Sequence, residues 1–159
     1  CGYFPDRGRC ICTEQEVSRY LGKISRPLLD RIDICMEVSG ISYEELTEKQ
    51  ENESSAVIRK RVEAAHRMQQ ERYEGLPIHF NAYLNGKQVE TYCFLGSRER
   101  SLLKNAFGKL NLSARAYYKI IKTARTIADL EQEERIGEEH LLEALRYRLP
   151  GESYWGRGV

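Results

Sequence analysis

No run of apolar residues here approaches the roughly twenty needed for a membrane-spanning helix, so no transmembrane segment is expected. Charge of one sign is lacking too. The 25 Lys and Arg nearly balance 24 Asp and Glu, a net of +1, so no global field marks a nucleic-acid or membrane-surface binder. Any polyanion site must come from local clustering. There is no G-x-S-x-G, no H-E-x-x-H and no defensible Cys–His arrangement, which leaves nucleophilic and metalloprotease chemistry without support. There is also no G-x-x-x-x-G-K-[ST], so this chain by itself carries no phosphate-cradling loop. The opening residues, CGYFPDRGRC, lack the charged start and apolar middle of a signal peptide. Five cysteines is an odd number for a disulfide framework, and Cys35 and Cys93 sit among apolar neighbours like ordinary buried thiols. A reducing cytoplasm is the expected compartment.

What is present suits a charge-rich globular protein: 159 residues, 41% hydrophobic and 31% charged, enough for one core or two small lobes. The chain opens on Cys1 rather than Met, which suggests a piece of something longer.

Residues 1–12, rich in Gly, Pro and Cys, read as a loop. TEQEVSRYLGKI (13–24) reads as a helix, with Thr13 and Glu16 forming a capping box. Pro27 opens a short turn, RIDICMEV follows as an expected strand, and SYEEL (42–46) repeats the S-x-x-E helix start. From Ser54 to about Tyr73 a helix is expected, with Val57, Ile58, Val62, Ala65 and Met68 on its apolar face. EGLPIHFNAYLNGKQ (74–88), punctuated by Gly, Pro and Asn, marks a loop and a lobe boundary. Beyond it helices are expected over about 88–94, 98–109, 113–130 and 138–148, the third capped by Ser113 with a stripe of Leu112, Ala116, Ile120, Ala124 and Ile127. The tail PGESYWGRGV reads as loose. One strand cannot make a sheet, so the first part is expected to complete a sheet lying upstream.

Three groups could carry chemistry. Arg31, between Asp30 and Asp33, is either a structural ion-pair partner or a guanidinium offered to a phosphate, whose oxygens its planar fork matches. Arg115 falls in the first turn of a helix capped by Ser113, where the helix dipole disfavours a cation. A bound anion would compensate, and solvent exposure is the alternative. Cys1, Cys10 and Cys12 form C-x8-C-x-C, three thiolates where zinc takes four ligands, and His66, His79 and His140 have no local spacing to supply the fourth, so the spacing alone reads as free cysteines before it reads as a metal site. The basic face of helix 54–73 (Arg59, Lys60, Arg67) reads as solvated surface or as a contact for nucleic-acid phosphates.

The stretches CGYFPDRGRCICTEQEVSRYLGKISRPLLDRIDICMEV and LSARAYYKIIKTARTIADLEQEERIGEEHLLEALRYR resemble the C-terminal portion of magnesium-chelatase-like AAA+ ATPases, the ComM/YifB group, from Cys1 to about Arg148. The resemblance implies a mainly α (α+β) fold: the C-terminal end of an AAA+ α/β core at 1–75, after sensor 1, and a helical lid at 76–159. PLLDRID is similar to an arginine-finger segment, which would make Arg31 the residue reaching the γ-phosphate held by a neighbouring subunit. SAR at 113–115 is similar to a sensor-2 segment, placing Arg115 at a nucleotide. Cys1-Gly2-Tyr3 looks like the second half of a C-P-C-G-Y motif whose first cysteine would precede residue 1; with Cys10 and Cys12 it would complete four thiolates for Zn2+.

By the same resemblance the intact protein would be a homo-oligomeric ring, usually a hexamer, using ATP and Mg2+ bound by Walker motifs upstream, and this chain alone would not hydrolyse ATP. The work of such a ring is DNA remodelling in the ComM group and metal insertion into a porphyrin in the chelatase branch. A third reading is a non-enzymatic helical interaction module.

Overall fold

The structure, a computed structural model, describes residues 1–4, 6, 8–36, 38, 40–48 and 52–148. The tail from residue 149, expected to be loose, lies outside them. The chain divides into two compact units, one of Cys1–Glu37 with Arg146–Val159, the other of Val38–Leu145.

The first unit contains α1 (Glu14–Leu21) and the single-turn α2 (Arg26–Leu29). Thr13 caps α1 as expected: its hydroxyl accepts from the Glu16 N–H at 3.3 Å, and the Glu16 carboxylate accepts from the Thr13 N–H at 2.8 Å. That hydrogen bond holds the Glu16 carboxyl below its usual range. α1 has no buried residue. The strand expected over RIDICMEV is absent among the described residues. A strand exists only by pairing with a neighbour, and none is available here. Its Cys35 N–H instead donates to the carbonyl of Tyr147 at 2.7 Å, a lone bond rather than a ladder.

The second unit is helical: α3 (Tyr43–Thr47), α4 (Ser55–Arg72), a 3-10 turn (Asn81–Tyr83), α5 (Gly86–Tyr92), α6 (Ser97–Lys109), α7 (Ala114–Leu130) and α8 (Glu138–Arg146), whose last residue falls in the first unit. Side chains of Ser42, Ser54, Asn85 and Ser113 cap α3, α4, α5 and α7. α7 is the central element, touched by α4, α5 and the 3-10 turn. Its stripe of Ala116, Ile120, Ala124 and Ile127 is buried, joined by Ile121 and Ala128. Leu103, Leu141, Val89 and Leu84 complete the core, each apolar side chain of this size contributing about 1.5–3 kcal/mol.

α4, which the sequence pattern grouped with residues 1–75, packs on α7 instead. Only its second half is covered. Ala65 and Gln69 are buried, whereas Val57 and Ile58 are 50% and 42% exposed, so the apolar stripe expected along the whole helix is not one continuous core face. After α4 the chain turns at Gly75, whose φ of +77° lies in the left-handed region that glycine enters without steric cost.

What fastens α4 and the following loop to α7 is polar. Arg72 meets Asp129 at two points. Asn81 donates from Nδ2 to Asp129 at 2.8 Å and to Thr126 at 3.0 Å, and accepts from the Tyr73 hydroxyl at 2.6 Å. Arg125 adds a bond to Asp129 and donates to the carbonyls of Glu133 and Glu134, closing the turn after α7. The buried carboxylate is answered by two guanidinium groups and an amide, which is what allows the cluster to be buried.

Candidate functional site

Arg31 sits on a tight double turn. The Leu28 and Leu29 N–H groups donate to the Ser25 carbonyl at 2.9 and 3.1 Å, with Pro27 in the first turn, where a missing N–H costs nothing. The winding continues as the N–H groups of Arg31 and Ile32 donate to Leu28 and Leu29. Arg31 is thereby exposed on the outside of the turn, and its Nη1 donates back to the Pro27 carbonyl at 2.8 Å. Of the two carboxylates that flank it in sequence, Asp30 is engaged at 3.0 Å by Arg148.

Arg148 was missed by sequence reasoning. Its side chain is 7% exposed. Besides Asp30 it reaches the carbonyls of Leu29 (3.3 Å) and Ile32 from the same Nη1. No local pattern announces this, because the partners lie 116 to 119 residues away.

Arg115 is exposed in the first turn of α7, where the Ser113 hydroxyl accepts from the Ala116 N–H at 3.1 Å. Among the described residues its guanidinium has no hydrogen-bond or ion-pair partner. Its exposure is compatible with both expectations, a solvated cation and one that shares an anion with the helix N-terminus. Arg31 and the cysteines belong to the first unit and Arg115 to the second.

Cys1, Cys10 and Cys12 do converge. Their sulfurs all lie within 4.8 Å of one another, with Cys1–Cys12 at 3.3 Å and Cys1–Cys10 at 3.7 Å. Tetrahedral zinc with bonds of ~2.3 Å spaces its sulfurs ~3.8 Å apart; the Cys1–Cys10 pair is near that spacing and the Cys1–Cys12 pair is closer. The Cys1 amino nitrogen lies 3.6 Å from the Cys12 sulfur and no histidine joins the group among the described residues. Cys93 is separate, buried in the second unit, and burial pushes its thiol up to about 11.

A cleft of about 370 Å³ in the second unit holds none of the expected site residues. Its acidic lining includes Glu99, Glu131 and Glu139 around buried His140, whose Nδ1 accepts the Gly137 N–H and whose Nε2 faces Glu131 at 3.0 Å. Those bonds account for His140 as a cap of α8.

Comparison with known proteins covers nearly the whole chain. Residues 52–148 match the family described as magnesium chelatase, subunit ChlI C-terminal, and residues 1–46 match magnesium chelatase, subunit ChlI. Competence protein ComM of Haemophilus influenzae is 42% identical over 84% of this chain and 26% of its own length. The uncharacterized proteins YifB of Salmonella typhimurium and of Escherichia coli are 39% and 37% identical, each over 86% of this chain and 26% of their own. The chain thus spans about a quarter of the length of the curated relatives it matches.

Proposed function

The chain belongs to the magnesium chelatase ChlI family, and from that premise we propose that it is the C-terminal part of a ring-forming AAA+ ATPase that remodels DNA in the cytoplasm. In this reading the residues of the first unit up to Glu37 end the AAA+ core, and α4 to α8, centred on α7, form its lid. ATP and Mg2+ are held by Walker motifs on the part of the protein that precedes this chain. Arg31 is the arginine finger, reaching the γ-phosphate of a nucleotide bound by the neighbouring subunit of a hexameric ring. Arg115 is sensor 2, contacting the γ-phosphate from the start of α7. Cys1, Cys10 and Cys12 hold a structural Zn2+ with a fourth ligand from the preceding residues.

The observation that carries the reading is the presentation of Arg31: an exposed guanidinium on a turn fixed by backbone bonds on one side and by Arg148 on the other. A finger has to be delivered rigidly, because it acts by placing fixed charge where charge develops in the transition state. The DNA substrate rests on the likeness to a competence protein.

The test is steady-state ATP turnover by the full-length protein, wild type and Arg31→Ala, with and without DNA. Loss of turnover by about 10³-fold or more with nucleotide binding retained supports the finger. Unchanged turnover overturns it. The family name itself favours a second reading, a motor driving magnesium insertion into a porphyrin. Turnover indifferent to DNA favours that motor, and stimulation by DNA favours remodelling.

A further inference from the structure

The grip on the turn that carries Arg31 comes from the far end of the chain. Tyr147 and Arg148 follow α8 directly, yet they bind residues 29–35 at four points. The Tyr147 carbonyl accepts from the Cys35 N–H at 2.7 Å. The Arg148 guanidinium takes the carbonyl of Leu29, the carbonyl of Ile32 and the carboxylate of Asp30. These partners bracket Arg31 on both sides in sequence. A guanidinium is well matched to them, because its planar fork carries five donors at fixed angles and one group can define the relative position of three acceptors.

Energetics point the same way. Arg148 is nearly buried, and a buried cation is tolerated only when its donors are satisfied. Asp30 supplies the charge, and two carbonyls, that of Leu29 (which also accepts from the Ile32 N–H) and that of Ile32, supply the remaining acceptors. Arg31, next in sequence to Asp30, stays exposed with its Nη1 on the Pro27 carbonyl. Arg148 is thus buried where it holds the turn, and Arg31 lies exposed on the outside.

We propose that Arg148 is a positioning residue for Arg31, fixing through Asp30, Leu29 and Ile32 the turn from which Arg31 reaches a nucleotide phosphate. The inference rests on the reading of Arg31 as a finger. Arg148 itself touches no substrate. Lysine cannot take its place, since a single ammonium does not span a carboxylate and two carbonyls at those angles.

The test is a double-mutant cycle on turnover by the full-length protein: Arg148→Ala, Arg148→Lys, Arg31→Ala and the double variant Arg31→Ala/Arg148→Ala. Arg148→Ala is expected to lower kcat by about 10²-fold, the scale of an ångström-level misplacement, with nucleotide affinity unchanged. Arg148→Lys is expected to fail as a rescue. In the Arg31→Ala background the loss of Arg148 is expected to cost nothing further, because Arg148 acts only through Arg31. An equal loss in both backgrounds, or none in the wild-type background, overturns the proposal while leaving the finger standing. Unchanged turnover in Arg31→Ala alone instead removes the finger, and this inference with it. If Arg148→Ala does not fold, Asp30→Asn, which keeps an acceptor for the Arg148 guanidinium and removes only its countercharge, is put through the same cycle: a loss of kcat that vanishes in the Arg31→Ala background supports the proposal, and an equal loss in both backgrounds, or none, overturns it.

Discussion

Arg72 and Asp129, 57 residues apart in sequence, meet as a two-point pair at 2.9 and 2.5 Å that joins α4 to α7. Asp129 is fully buried and accepts from Arg125 and Asn81 as well. Two guanidinium groups are therefore answered by one carboxylate.

Asp129→Ala is expected to destabilise this unit by about 3–5 kcal/mol, since it strands Arg125 and leaves Arg72 without its countercharge. The exposed pair Arg61–Glu53 is the control, and Glu53→Ala is expected to cost under ~1 kcal/mol. Urea midpoints of the two variants separate the cases, and similar midpoints would show that the buried cluster is not what fastens α4.

Apolar residues divide in the same way between the buried stripe of α7 and the exposed first half of α4. Ile120→Ala on α7, 1% exposed, is expected to cost about 2–5 kcal/mol. Ile58→Ala, at 42% exposure in the isolated chain, is expected to stay within ~1 kcal/mol. Denaturant unfolding of both variants is the check, and a large loss from Ile58→Ala would mean that this face is covered in solution.

Stability is also expected to fall at alkaline pH. Burial raises Tyr73 from 10.0 to about 12 and Cys93 from 9.0 to about 11. The unfolded chain releases these protons first, so between roughly pH 9 and 12 it binds fewer protons than the folded chain and stability drops as pH rises. Below pH 9 the contribution is complete. Urea midpoints at pH 8, 9.5 and 11 are expected to decline, and to decline less in Tyr73→Phe/Cys93→Ala; an equal decline in that variant would place the effect elsewhere.

Which of these features the sequence foretells follows from their range. The capping boxes at Thr13 and Ser42 span three residues and are legible at sight, as is the 3.6-residue stripe of α7. The expectation for RIDICMEV fails because strand character depends on a neighbour that the segment itself does not specify. α4 reads as one amphipathic helix, yet only its second half reaches α7, and there Gln69 and Arg72 carry polar contacts that hydrophobic periodicity cannot register. Asn81 looks like an ordinary loop residue and Arg148 like the last residue of a helix, since their partners lie tens to more than a hundred positions away. Of the site residues, the three cysteines come together in space, although their C-x8-C-x-C spacing alone reads first as free thiols.

That convergence leads to the last expectation. The chain with Cys1, Cys10 and Cys12 intact is expected to bind one zinc ion, because the three sulfurs already lie within 4.8 Å of one another and little ordering is needed on binding. Thiolates rather than thiols are the ligands, so affinity rises with pH and binding releases protons. Cys10→Ser is expected to weaken binding by at least about 10-fold, the lower end of what disturbing a metal's surroundings costs, whereas Cys35→Ser leaves it unchanged. Cobalt substitution gives the readout: a thiolate-to-metal absorption band that appears with the wild-type chain and with Cys35→Ser, and fades with Cys10→Ser. A band unaffected by Cys10→Ser would place the metal elsewhere, and no band at all would reduce the cluster to three neighbouring free thiols.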